Sequence, residues 1–379
     1  MPHRRGVPRV VLFVVGMFFA AFGAAYVASE EVRYLSRAVV EEIKILEGRR
    51  PIAELVADSA TPAELRRSLA LVLAARDYAA RLGLEAKDTY TSYSDVGRDT
   101  LLLVLSAAPK NCVCPYTWKY PIVGRIPYKG FFDPGMARRA AAKLERRGYD
   151  VYLRPAGAFS TLGWLEDPLL STALDRDPVE LVSTVFHEIA HNTLFVKHAV
   201  PFNESFAQMV GYRAAEAFFR DRGDTAAARR AAWRWEDEIV LADYYTRLAQ
   251  RLRGAYARAP EPPGLDSARA EVGRWARAEL AGPVAARLRT IRIGPLAERP
   301  VNNARVVAAT IYRERLELFE RWYRAHGADV RRSVAALERL VDGVPGDSVY
   351  PALERALAAL ARDPAAGSPA PAIDTTSAP

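Results

Sequence analysis

Two histidines four residues apart, in a segment that marks its own helix start, constrain this chain more than any other feature. Residues 177–211 read DPVELVSTVFHEIAHNTLFVKHAVPFNESFAQMVG. Asp177 supplies a helix N-cap, Pro178 the first helical position and Glu180 the third. Val182, Val185, Phe186 and Ile189 recur at helical spacing and predict the buried side. On such a helix His187 and His191 project from one face and can meet a single ion. Glu188 sits beside the first of them, within reach of a water on that ion. Bound zinc lowers the pKa of its water toward about 7, so a carboxylate can take the proton near neutrality. Imidazole suits zinc, although cobalt, nickel and copper bind it as well.

Three of the five histidines fall within this short stretch, and a metal site needs a further ligand. Glu204 is the candidate. It lies at the opening of the next helix, after a turn at Ala199 to Pro201, and an antiparallel helix pair returns it toward the two histidines. Two histidines and a glutamate leave a fourth position for water, as metal-assisted hydrolysis requires. The structural alternative for Glu204 is a first-turn glutamate favoured by the helix dipole. His198, in the turn, is the competing ligand. Gln208, one turn beyond Glu204, is a candidate brace for a ligand.

The N-terminal part carries a different signal. Val10 to Ala28 is an uncharged run of 19 residues, preceded by Arg4, Arg5 and Arg9 and followed by Glu30 and Glu31. At about 1.5 Å per residue such a helix nearly spans a bilayer core. The flanking charges predict a cytoplasmic N-terminus, with everything after residue 29 outside the cytoplasm. Retention as an anchor is the favoured expectation; a cleaved signal peptide is the alternative. The run has no cysteine, so a lipid-modified terminus is excluded. Lys+Arg 53 against Asp+Glu 45 gives a net charge of +8. The basic residues are spread along helical stretches without a dense block interleaved with aromatics, which argues against nucleic-acid binding.

The remaining elements follow from spacing and punctuation. Val32, Leu35, Val39, Ile43 and Leu46 predict one face of an amphipathic helix ending at Gly48. Thr61, Pro62 and Glu64 predict a second helix with Thr61 as N-cap, closed by Gly83. Thr100 to Ser106, Pro121 to Pro127 and Asp150 to Arg154 read as short strands, with a helix from about Pro134 to Arg147 between the last two. From Asp177 onward the chain reads as almost wholly helical. Cys112 and Cys114 read as two loop thiols, with a labile redox pair as the alternative.

Two resemblances sharpen this reading. NESFA resembles the NExxA segment of gluzincin metallopeptidases, whose glutamate is the third zinc ligand, although the 12 residues between His191 and Glu204 are fewer than in familiar members. Over nearly the whole chain the sequence resembles a bacterial "putative aminopeptidase" family. The stretches that carry this are GRRPIAELVADSATPAELR, PIVGRIPYKGFFD, GYDVYLRPAGAFSTLGWLEDPLLST, the HEIAH and NESFA segments, and NNARVVAATIY. Relatives carry cysteines near Trp118 and Gly124, where this chain has Lys119 and Arg125. Many begin with a lipoprotein signal, which this chain lacks.

The expected fold is therefore α+β and mainly α-helical: a zincin-like metallopeptidase with a small mixed sheet and an N-terminal transmembrane helix. Its expected organisation is a membrane segment at 1–29, a catalytic domain at 30–362 and a disordered tail at 363–379. Within the domain, N-terminal helices (30–89) precede a small α+β part (90–176), a metal-binding helix pair (177–221) and a helical remainder (222–362). The expected activity is zinc-dependent peptide hydrolysis at the cell envelope, anchored in or secreted across the membrane. His187, His191 and Glu204 are the expected ligands of one zinc ion, and Glu188 the base. The resemblance implies an aminopeptidase; an endopeptidase and a non-catalytic envelope metalloprotein are the alternatives. Tyr128, Tyr152 and Tyr312 are candidates to stabilise an oxyanion. Ala158 to Gly163 is a candidate substrate-pairing strand edge, with Gly157 and Gly163 permitting close approach.

Overall fold

The computed structural model describes residues 9–120, 124–157, 168–294 and 299–362. Helices α1 (Arg9–Ala28) and α2 (Glu30–Glu47) are followed by β1 (Arg49–Pro51), α3 (Ile52–Ala57), α4 (Ala63–Arg81) and β2 (Ser92–Ser94). Then come β3 (Leu102–Pro109), β4 (Trp118–Tyr120), β5 (Gly124–Ile126), β6 (Lys129–Phe131), α5 (Pro134–Arg146), β7 (Tyr149–Ala156) and β8 (Leu169–Leu170). The helical part comprises α6 (Pro178–Thr193), α7 (Val200–Asp221), α8 (Thr225–Arg258), α9 (Gly264–Glu279), α10 (Asn303–Ile311), α11 (Leu316–Ala325), α12 (Val330–Val341) and α13 (Val349–Arg362). The mainly helical α+β expectation holds, with small sheets ordered β1-β2-β8, β6-β3-β7 and β4-β5.

The expected transmembrane helix is a correction. Among the described residues no helix is long and apolar enough to cross a membrane, so neither the membrane span nor the membrane-anchored location that rested on it is supported. Helix α1 is rich in small residues. Gly16, Ala20, Ala21, Gly23, Ala24 and Ala25 keep much of its surface small. The C-terminal carbonyls of α1, at Tyr26 and Val27, accept hydrogen bonds at 2.9 and 2.8 Å from Arg33 of α2.

Helix α2 forms as its spacing predicts, with its apolar stripe turned outward. Leu35, Val39 and Ile43 of the apolar stripe are exposed. The opposite side packs on the sheet instead: Ile45 and Glu41 are buried, Glu41 pairs with Arg98 at 2.8 Å, and Glu31 with Lys129 at 2.8 Å. The Tyr34–Phe131 ring contact lies on this same side. Helix α4 starts at Ala63 with Pro62 in the cap position, so Thr61 is not the cap; its hydroxyl is buried without a partner. Cys112 and Cys114, expected as thiols, form a disulfide. The residue 363–379 tail lies outside the described residues.

The larger core joins α3, α4, α6, α7, α11, α12, α13 and the first part of α8. Val182, Val185, Phe186 and Ile189 of α6 are completely buried in it, as the spacing predicts. Each contributes on the order of 2 kcal/mol of burial. Tyr78, Phe186 and Phe218 form an edge-packed aromatic triangle. A second core lies between the rest of α8, α9 and α10, with Ala108 and Val113 from the sheet side. Asp237, fully buried on α8, accepts backbone hydrogen bonds from Arg289, Thr290 and Ile291 and so ties down the loop that leads to α10.

The pairing of α6 with α7 turns on one glycine. A Cβ at Gly211 would stand 2.9 Å from the Ser183 carbonyl oxygen, 3.0 Å from its Oγ and 3.5 Å from the His187 Cβ. The helices therefore touch at backbone level, in antiparallel sense, since Ser183 meets Gly211 while His187 and His191 meet Glu204. Gly211→Ala should separate them. The substitution gains about 0.8–1.0 kcal/mol of helix propensity, yet overpacking costs about 1–3 kcal/mol. The expected net result in urea denaturation is a loss of up to ~2 kcal/mol; a stabilised variant would show slack at this crossing.

Candidate metal site

His187 and His191 occupy successive turns of α6, whose start is set as expected: Asp177 caps it, accepting from Val179 N at 2.9 Å, and Pro178 follows. Glu180 does not serve the cap. Its carboxylate pairs with Arg234 at 3.0 Å and accepts from the Tyr212 hydroxyl at 3.1 Å. Helix α7 begins at Val200, earlier than the sequence suggests. Glu204 thus sits in the second turn, so helix-dipole stabilisation in the first turn is not its role.

Side chains of the intervening loop place Glu204. Buried Asn203 turns its carboxamide back on Val196: Val196 N–H donates to Oδ1 at 2.9 Å, and Nδ2 donates to the Val196 carbonyl at 2.8 Å. This closes the loop like a rung of sheet. Ser205 donates to the Glu314 carbonyl at 2.8 Å. The residues on both sides of Glu204 are therefore anchored, and Glu204 is directed at the histidines.

Three donor atoms converge. His187 Nε2 lies 3.2 Å from His191 Nε2, and Glu204 Oε2 lies 3.4 and 3.8 Å from the two. All three candidate ligand atoms fall within 4.8 Å of one another. A tetrahedral ion with bonds of about 2.0–2.1 Å separates its donors by roughly 3.3–3.4 Å, so this spacing fits one. Among the described residues this is the one such cluster. His191 Nδ1 is buried with no hydrogen-bond partner.

The electrostatics suit a cation. Burial, then the neighbouring His187, pushes the His191 pKa down to about 4, which keeps the ring neutral as a ligand must be. Burial also opposes protonation of His187, but Glu204 and Glu188 outweigh it and hold the pKa above the ordinary value. For Glu204 burial acts upward, while His187, His191 and Arg154 prevail and hold the carboxyl below its usual range. Two half-buried carboxylates thus face two imidazoles, an arrangement that a divalent ion neutralises.

Of the other candidates, His198 is exposed, has a positive φ of 61° and stands outside the cluster. Gln208 is half-buried. Glu188 is half-buried beside His187 and acts on its charge. Tyr128 and Tyr312 are brought to the site: burial, then Glu204, pushes both phenols up. Tyr152 is not, since its ring packs against the second core under Arg305. The strand edge expected at 158–163 lies outside the described residues. Gly157 makes room for the Thr172 backbone and accepts from its hydroxyl at 2.6 Å, so its role is local. Arg154, on β7, is the group that motif reasoning missed: no local spacing marks it, because tertiary pairing of β7 with β3 brings it there.

With this geometry in view, the family comparison is decisive about kinship. A family model described as "Putative aminopeptidase" matches residues 33–346. The chain belongs to that family, and its membership supports a peptidase-like function. No curated protein and no solved structure matches the chain.

The Asn203 clamp gives a test of how Glu204 is held. Asn203→Ala leaves the Val196 N–H and C=O without their buried partners, at roughly 1–3 kcal/mol for each group. Expected are a stability loss of ~2–6 kcal/mol in chemical denaturation and weaker metal uptake in a competition titration. Unchanged metal affinity would show that Glu204 is placed by α7 packing alone.

Proposed function

We propose that this protein is a zinc-dependent peptidase acting as an aminopeptidase, with His187, His191 and Glu204 holding the ion and Glu188 as general base. The convergence of the three donor atoms at tetrahedral spacing carries the reading. The donor set, two imidazoles and one carboxylate, is one that zinc uses in hydrolytic sites with a fourth position open. When bound, zinc supplies Lewis acidity: it polarises a carbonyl and lowers the pKa of water.

The chain's own residues supply the rest. Glu188 follows the first ligand on α6, and its carboxylate accepts the proton of the attacking water. It then delivers that proton to the departing amine nitrogen, so one group serves as base and acid in turn. The rigidity of α6, with Val185, Phe186 and Ile189 completely buried, fixes Glu188 and both ligands together. The family match favours release of N-terminal residues over internal cleavage.

Glu188→Gln tests the assignment because glutamine has nearly the same shape but cannot take the proton. Expected are unchanged zinc content and melting temperature, with kcat lower by roughly 10²–10⁴-fold on amino-acid amides and short peptides. Peptide hydrolysis at the parental rate would refute the mechanism. His187→Ala and His191→Ala should lose most zinc by elemental analysis, and Glu204→Ala a smaller share. Stoichiometric zinc in His191→Ala would place the metal elsewhere.

A further inference from the structure

The residue that faces this site from the sheet is Arg154. Its position follows from a match of lengths. Asn302 donates to the Val151 carbonyl at 2.9 Å, and the Asn303 N–H to Asp150 Oδ2 at 2.7 Å. Helix α10 is thereby riveted at its start to the beginning of β7. From Asn303 to Tyr312 a helix advances about 13 Å; from Asp150 to Arg154 a strand advances about the same distance. The far ends therefore meet again. Arg154 Nη2 lies 3.5 Å from the Tyr312 hydroxyl, and its guanidinium stands over the Tyr312 ring at 5.7 Å.

The same end is tied to the metal cluster. Tyr312 precedes Glu314 by two residues, and the Glu314 carbonyl is held by Ser205, the neighbour of Glu204. Tyr350 donates to the same carbonyl at 3.0 Å. Arg154 acts on the charge of Glu204, yet it forms no ion pair with it or with any other carboxylate among the described residues. Four other interior arginines are used differently. Arg213 is paired with Glu216 and Glu320, Arg234 with Glu180, Arg269 with Asp150 and Arg313 with Glu238. Among the described residues Arg154 is a half-buried cation whose fork is committed to no carboxylate, set back from Glu204 by more than an ion-pair distance. Such a fork is suited to an oxygen atom that gains negative charge.

We propose that Arg154, positioned by Tyr312, is a substrate-binding residue whose guanidinium donates to the carbonyl oxygen of the bond being cleaved and stabilises the charge that develops there. This rests on the peptidase reading given above and adds the group that completes it. Charge stabilisation by a fixed donor is worth most in the transition state, so its loss belongs mainly in kcat. The Tyr312 hydroxyl and ring hold the guanidinium in place; Tyr312 is a positioning residue.

The test compares zinc-loaded full-length protein with Arg154→Ala, Arg154→Lys and Tyr312→Phe, measuring zinc content, steady-state kinetics and calorimetric binding of a phosphinic dipeptide, a stable mimic of the tetrahedral species. Arg154→Ala should keep its zinc and melting temperature. Its kcat should fall about 10²–10³-fold with KM changed only a few-fold, and phosphinate affinity should fall in parallel. Guanidinium added to solution should restore part of the Arg154→Ala rate, which a merely structural role would not allow. Arg154→Lys should retain an intermediate rate, and Tyr312→Phe should lose less than Arg154→Ala. Parental kcat and phosphinate affinity in Arg154→Ala would overturn this assignment while leaving the peptidase reading intact. A parent protein that neither cleaves peptides nor binds the phosphinate would overturn both.

Discussion

The close crossing of α6 and α7 at Ser183 and Gly211 is the constraint on which the rest depends. A side chain at Gly211 would meet the Ser183 carbonyl, and the helices would stand farther apart. Candidate ligand atoms separated by 3.2–3.8 Å leave little tolerance for such a shift. A metal site built from two helices is only as well defined as their separation, and here backbone contact rather than side-chain packing defines it. The Asn203 clamp adds the second coordinate, the rotation and start of α7. Together they convert a flexible six-residue connection, 194–199, into a fixed corner.

Behind this pair, charges are used to hold elements rather than to meet solvent. Glu180 on α6, Tyr212 on α7, Arg234 and Glu238 on α8, and Arg313 beyond α10 form one connected group. Desolvating such charges largely offsets their attraction, so the group is weak evidence for stability. Its geometry, however, joins every helix that contributes to the site. Asp150, Arg269, Asn303 and Tyr256 do the same between β7, α9, α10 and the end of α8. These two groups secure both ends of α10, which is why a strand residue and a helix-end residue can share one side of the cluster.

The departures from sequence expectation have a common physical origin. Periodicity identifies an apolar stripe but not what covers it. On α2 the stripe of Leu35, Val39 and Ile43 remains exposed, while Glu31, Tyr34 and Glu41 on the other side meet Lys129, Phe131 and Arg98 and Ile45 is buried. On α1 an uncharged run suggested a membrane span, yet no described helix is long and apolar enough to cross one. At α7 the turn chemistry of Ala199 to Pro201 suggested a helix start near Asn203, while the helix begins at Val200. Proline is tolerated in the first turn, where its missing N–H has no partner to lose.

What the sequence by itself determined is local: the cap and proline that start α6, the buried side of that helix, the one-face placement of His187 and His191, and the strands and helix around α5. Each depends on bonds and contacts within a few residues, so spacing alone specifies it. Glu204 was legible through its resemblance to NExxA, but its approach to the histidines depends on Gly211 and on the return of Asn203 to Val196. Arg154, Tyr312 and Tyr128 come from three separate segments. Only the pairing of β3 with β6 and β7, and the match in length between α10 and β7, could bring them to one side of the cluster. Long-range encounters of this kind leave no period or motif in the chain, because the partners are fixed by shape and by satisfied polar groups that exist only once the fold has closed.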